Sequence, residues 1–210
     1  MTTLDEASVA SPPAGPRAED GAATPAAKPL QIVPRAGLPL AAIAVGGLVA
    51  AISSNSLWAL DFFHVVGGGM WTAIDLFVGF VVGPIIGSMS IPARMEFSKR
   101  FMPKMVLLMP TLVTMTLGSG FQLARHLGYL QSGNPHHGFI VASFFVVGVM
   151  AVIALGILEP ANIAVLFELR KPEPDGELIG RLMKRFIYTA GITGAMQVAT
   201  LVIMTHVASV

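Results

Sequence analysis

From Gly138 to Leu158 the chain reads "GFIVASFFVVGVMAVIALGIL" and carries no charged residue, and Met105 to Ala124 carries none either. About 20 mostly apolar residues let a helix cross the hydrocarbon core of a bilayer, where no water is available to satisfy backbone groups. Such segments recur along the 210 residues. They point to an all-α fold, a multi-pass transmembrane helical bundle of four core helices plus a short N-terminal fifth. Only 12% of residues are charged, against about 25% in a soluble domain. The mean hydropathy is +0.72. The lipid bilayer is therefore the first partner expected, and the inner (cytoplasmic) membrane of the cell the expected location.

Composition also excludes several functions. The net charge is +1 and no basic cluster is interleaved with aromatics, so no nucleic-acid partner is expected. With no cysteine, disulfides, thiolate metal sites, iron–sulfur clusters and covalently attached c-type haem are ruled out. Any metal or haem would be held by His, Met, carboxylate or backbone groups. No glycine-rich nucleotide loop follows a strand and no nucleophile–base motif is present, so no catalytic residues are assigned.

Residues 1–36 form a Pro/Ala-rich tail with few large apolar side chains and are expected to be disordered. The bundle is expected over 37–210, with spans at about 37–55, 57–90, 102–129, 138–159 and 186–207. The first of these is short enough to be a span, an interfacial helix or an uncleaved anchor. Pro103 suits the first turn of the third span, Pro110 is expected to bend it, and Pro84 and Pro160 to kink or end theirs. With five spans and a cytoplasmic N-terminus, the basic residues skew strongly. Arg17, Lys28, Arg35, Arg94, Lys99, Arg100, Lys104, Arg170, Lys171, Arg181, Lys184 and Arg185 fall inside, and only Arg125 outside. That is the asymmetry the positive-inside rule describes.

This topology places all five histidines, His64, His126, His136, His137 and His206, in the extracytoplasmic half. Imidazoles suit interfaces, which accounts for the last three. His64 differs because of its neighbours. At 100° per residue, His64, Gly68, Trp71 and Asp75 share one helical face. Gly68, flanked by Gly67 and Gly69, removes bulk beside the imidazole, as a flat macrocycle ligated by it would need; close helix packing explains the same glycines equally well.

Asp75 lies about 16 Å deeper than His64 along the helix. A carboxylate there costs roughly 2.5–3.5 kcal/mol on insertion scales and is expected to face the interior with a partner. Thr114 and Thr116 on the third helix, and Thr193 and Gln197 on the fifth, are the candidates. Asp75, Gln197 and Thr193 then form either a proton relay or a structural hydrogen-bonded group.

On the third helix His126, Gln122, Ser119 and Met115 share a face, and His126 is expected at a depth comparable to His64. His64 and His126 are therefore the candidate metal or haem ligands, and Arg125 a candidate partner for haem propionates or for Asp61. Most of the twelve methionines are spread along the spans as packing residues rather than clustered at a mouth.

The stretch "HVVGGGMW", with His64 seven residues before Trp71, resembles the bacterial membrane-bound protoporphyrinogen oxidase family (the HemJ type). More distantly, the architecture is similar to the copper-resistance D-type membrane domain. The first resemblance covers about residues 57–130 and implies a small helical bundle whose histidine holds b-type haem, with Trp71 as a pocket residue. The chain departs from that family in having no basic residue after the second helix until Arg94, and no lysine in the fourth. The leading expectation is haem b bound near the extracytoplasmic face, serving electron transfer or oxidase-like chemistry on a quinol or porphyrin. Copper handling is the alternative, and a non-catalytic subunit packed against other membrane proteins is the third.

Overall fold

A computed structural model describes residues 30–209. Among them there is no strand, and five helices are long and apolar enough to cross a membrane: α1 (Arg35–Ser54), α2 (Leu57–Ser88), α3 (Ile91–His126), α4 (His137–Leu169) and α5 (Gly176–Ser209). The chain is an all-α helical bundle, compatible with a multi-pass membrane protein.

Short connections make neighbouring helices antiparallel. α1 ends at Asn55, which takes the left-handed conformation at φ 50°, and Ser56 then caps α2 by accepting the N–H of Ala59 at 3.4 Å. α2 gives way to α3 through extended Met89 and Ser90. The turns at 89–90 and 170–175 define one end of the bundle, rich in Arg and Lys; the turns at 55–56 and 127–136, with the C-terminal turn of α5, define the other, which holds the histidines.

Hydropathy underestimates three helices. The third begins at Ile91 rather than about 102, the fourth runs to Leu169 rather than 159, and the fifth begins at Gly176 rather than 186. The additional turns, such as "GELIGRLMKR", are amphipathic, so they lower the apolar average without breaking the helix. Pro103 is consequently interior to α3, and Pro92 occupies the first turn instead. Pro84 and Pro160 do not end their helices. Each follows a π-helical turn, Val78–Val82 and Ala154–Leu158. A proline ring clashes with the carbonyl four residues back and offers no N–H, and a widened turn absorbs both effects.

The core lies between α2, α3, α4 and α5. Met102, Met105, Met109, Leu112 and Met115 recur at helical spacing and are all buried, so α3 turns a methionine face inward, onto Trp71, Met150, Phe186 and their neighbours. α2 and α5 meet closely where Gly79 faces Gly191: a side chain at 79 would fall on the Gly191 backbone. α1 is peripheral and packs mainly on α3 through buried Leu48 and Ala51. Large apolar side chains such as Trp58, Phe145, Val152 and Leu40 remain exposed around the perimeter, as lipid contact requires. Residues 1–29 of the expected disordered tail lie outside the described residues, but Leu30 and Ile32 pack against the core, so the ordered chain starts before residue 37.

Candidate functional site

His64 sits in the second turn of α2, half-buried against α3. Its Nδ1 is 2.9 Å from the carbonyl oxygen of Thr116. A carbonyl can only accept, so Nδ1 carries the proton, and the neutral imidazole keeps its lone pair on Nε2. This tautomer is assigned from the partner. The ring lies on Gly120, where a Cβ would come within 2.6 Å of Nδ1. The glycine thus makes the space for the histidine.

The three glycines after His64 divide between the two roles expected of them. A Cβ at Gly67 would meet Thr116 Oγ1 at 2.8 Å, so Gly67 serves helix packing. Gly68 would make an ordinary 3.4 Å contact and Gly69 none within 4 Å, and both line a cavity.

That cavity, of about 310 Å³, lies at the histidine end between α2, α3, α4 and α5. It gathers His64, Gly68, Trp71 and Gln197 from the sequence-predicted residues, with Phe121, Phe144, Met150 and Met204 among its apolar walls. Most hydroxyls on its walls are committed to their own helices: Thr72 donates to Gly68, Thr116 to Leu112 and Thr205 to Leu201, each at 2.8 Å.

Below the cavity lies Asp75, 2% exposed. Its Oδ2 accepts from Gln197 Nε2 at 2.8 Å and from Thr193 Oγ1 at 3.0 Å. Thr193 has one hydroxyl proton and two further acceptors in reach, the carbonyls of Thr189 at 3.1 Å and Ala190 at 3.0 Å. Because the Gln197 amide nitrogen faces the carboxylate, its Oε1 is left buried without a partner. Thr193 and Gln197 are thus the partners of Asp75. Thr116 bonds within α3 instead.

His126 and Arg125 do not join this site. Both are exposed in the last turn of α3 and neither lines the cavity. His126 is six residues beyond Gly120, about 9 Å farther along and on a different face. Arg125 forms no ion pair with Asp61 among the described residues. His136 packs tilted against Tyr129 with ring centres 5.0 Å apart, His137 Nδ1 is 3.2 Å from the Tyr129 carbonyl, and His206 lies tilted against Phe139 at 4.6 Å. Among the described residues no three His, Asp or Glu side chains cluster as a metal site.

For haem, the cavity offers one imidazole with a free Nε2 and two thioethers, Met150 and Met204, but no second histidine and no cation. It therefore does not fit a bis-histidine haem with charge-paired propionates; one imidazole is what it offers. Sequence reasoning missed Gly120, the Thr116 carbonyl and the two cavity methionines. A lone sequence holds no signal for them, because each depends on which helices become neighbours. No family model, no curated protein and no solved structure matches the chain.

Proposed function

We propose that this membrane protein binds a lipophilic quinol, a hydroquinone head group on an apolar tail, in the cavity between His64 and Gln197. One observation carries the reading: among the described residues two acceptors have no partner, Gln197 Oε1 and Nε2 of the neutral His64 ring, and both belong to residues lining a single apolar cavity. Ligand sites in general combine apolar walls with a few placed polar groups. Two acceptors complement the two hydroxyl donors of a quinol, whereas the corresponding quinone would set oxygen lone pairs against them. The exposed Val65, Phe121 and Leu201 on the cavity wall leave it accessible from the lipid side. His64 Nε2 is also the atom positioned to receive a proton from the head group.

Trp71 lines the cavity and Trp58 is exposed, so in a Trp58→Phe background Trp71 fluorescence reports occupancy. A short-chain quinol should bind more tightly than its quinone. His64→Ala and Gln197→Leu should each raise Kd roughly tenfold, the equivalent of about 1.4 kcal/mol. His126→Ala and His206→Ala should leave it unchanged. Equal affinity for quinol and quinone, or indifference to His64→Ala, would exclude this reading.

A second reading rests on a separate observation. Histidine ligands to metals commonly donate their other N–H to a carbonyl, which is the posture of His64 on Thr116. His64 would then be the residue that holds haem b, with Met150 and Met204 as the thioethers available in the same cavity; bound haem would supply one-electron transfer. Protein purified from haem-sufficient cells should show a Soret band that His64→Ala abolishes and His126→Ala does not. A colourless protein would leave the quinol reading alone.

A further inference from the structure

At the opposite, basic end of the bundle a second cavity, of about 520 Å³, opens between α2 and α5. We infer that it is a binding site for the phosphate head group of an anionic phospholipid, held by Arg94 and Lys184. Arg94, at the start of α3, and Lys184, on α5, both line it, and no acidic residue does. Three ion pairs are present among the described residues: Glu96–Arg100, Glu168–Lys171 and Glu177–Arg181. Neither Arg94 nor Lys184 takes part in any of them. Lys184 Nζ stands 5.7 Å from the centre of the Tyr188 ring, which also lines the cavity.

The guanidinium of Arg94 is seated rather than loose. A Cβ at Gly180 would fall 2.8 Å from its Nη1, so the bare backbone of α5 makes its berth. Nη2 donates to the Met89 carbonyl at 3.3 Å, while Nε is buried with no acceptor. A half-buried guanidinium held without a carboxylate partner among the described residues suits an anion, and planar, forked donors match phosphate oxygens well. Gly79, Gly83 and Gly87 on α2 add no side chain to the opposite wall, which Pro84 and Ile86 complete.

The ligand class follows from position. Tyr188, which lines the cavity, is itself exposed on the apolar perimeter, a strip along which an acyl chain can lie. By the basic-residue skew this end faces the cytoplasm, where the inner leaflet carries anionic lipids. A free phosphate would match the two cations but leave that strip unused.

The test compares lipids retained by the full-length protein in nanodiscs made from equal parts phosphatidylcholine and phosphatidylglycerol, read by native mass spectrometry. Wild type should keep phosphatidylglycerol through delipidation in preference to phosphatidylcholine. Arg94→Gln with Lys184→Gln should cut that retention roughly tenfold. Gly180→Leu, which fills the berth and keeps both charges, should do likewise. Lys99→Gln with Arg185→Gln removes equal charge from exposed positions at the same end and should change nothing. Thermal unfolding of each variant separates lost binding from lost folding, and Arg94→Lys gives a milder variant should Arg94→Gln misfold. Equal retention of the two lipids, or equal losses in the control pair, would overturn the proposal. Binding of inorganic phosphate to delipidated protein as tightly as phosphatidylglycerol would reassign the site to a soluble phosphate.

Discussion

His64 reaches from α2 to α3 to place Nδ1 2.9 Å from the carbonyl oxygen of Thr116, and Gly120 one turn later receives its ring. The bond does two things. It satisfies a polar group that would otherwise be costly in a bilayer, and it fixes which ring nitrogen stays free. Gly120→Ala should therefore act as a histidine mutation. Its Cβ would displace the imidazole, and overpacking of this sort costs about 1–3 kcal/mol. Ligand affinity should fall with the melting temperature. Gly118→Ala, whose Cβ would meet the flexible ends of Leu48 at 3.2 Å and Ile52 at 4.0 Å, should be nearly silent. Equal behaviour of the two in thermal melts and quinol titrations would show that the ring does not rest on Gly120.

The glycines of α2 make a graded series. Gly79 faces the Gly191 backbone, Gly67 faces Thr116, and Gly69 faces open space. Alanine should destabilise most at 79, where the neighbour is backbone and cannot turn aside, less at 67, and least at 69. Because Gly69 lines the cavity, Gly69→Leu should weaken ligand binding while leaving the melt almost unchanged. Reversal of this order in detergent melts would mean that α2 packs through a different face.

Much of this was legible in the sequence, and the limits have physical causes. Helix count and type follow from apolar runs, because the bilayer forbids unsatisfied backbone. The face joining His64, Gly68, Trp71 and Asp75 follows from helical periodicity alone, and so does the inward stripe of Thr193 and Gln197. The separation of His126 from His64 was not legible. Two residues at like depth on neighbouring helices meet only if both helices are rotated suitably, and rotation is set by contacts such as Gly67 on Thr116. The helices run beyond the spans expected to end at 102, 159 and 186, because hydropathy senses lipid, whereas helix termination depends on caps and extended residues such as Ser90 and Asp175.

Asp175 caps α5 by accepting the N–H groups of Glu177 at 2.9 Å and Leu178 at 3.0 Å. Its carboxyl is held below the ordinary carboxylate range, first by the Leu178 N–H, against some desolvation, and then by Glu177. A folded value below the unfolded one, about 3.9, means that the cap stabilises fully above that pH and fades as pH falls through the folded value. Asp175→Ala should lower the melting temperature at neutral pH, and the gap to wild type should close in acid. Asp175→Asn should retain most of the cap. A gap independent of pH would show that packing, not the ionised cap, is lost.

Asp75 gives the sharpest test of the interior, because its two principal donors respond differently to its removal. Thr193 keeps the Thr189 and Ala190 carbonyls, but Gln197, already without a partner at Oε1, would also lose the acceptor for Nε2. An orphaned buried group costs about 1–3 kcal/mol. Asp75→Leu should therefore be clearly destabilising. Asp75→Asn, whose amide oxygen can accept from both donors, should fold nearly as wild type. Asp75→Leu combined with Gln197→Leu should recover part of the loss, since both ends of the bond are then apolar. A redox midpoint separates structure from function here: Asp75→Asn should preserve both quinol affinity and the pH dependence of the midpoint if the carboxylate only orients Gln197. If it relays protons, the same variant should bind normally yet lose the pH dependence of a redox midpoint. A melting temperature unaltered by Asp75→Leu would remove the hydrogen-bonded carboxylate from the bundle interior, and with it the account of Gln197 as an oriented acceptor.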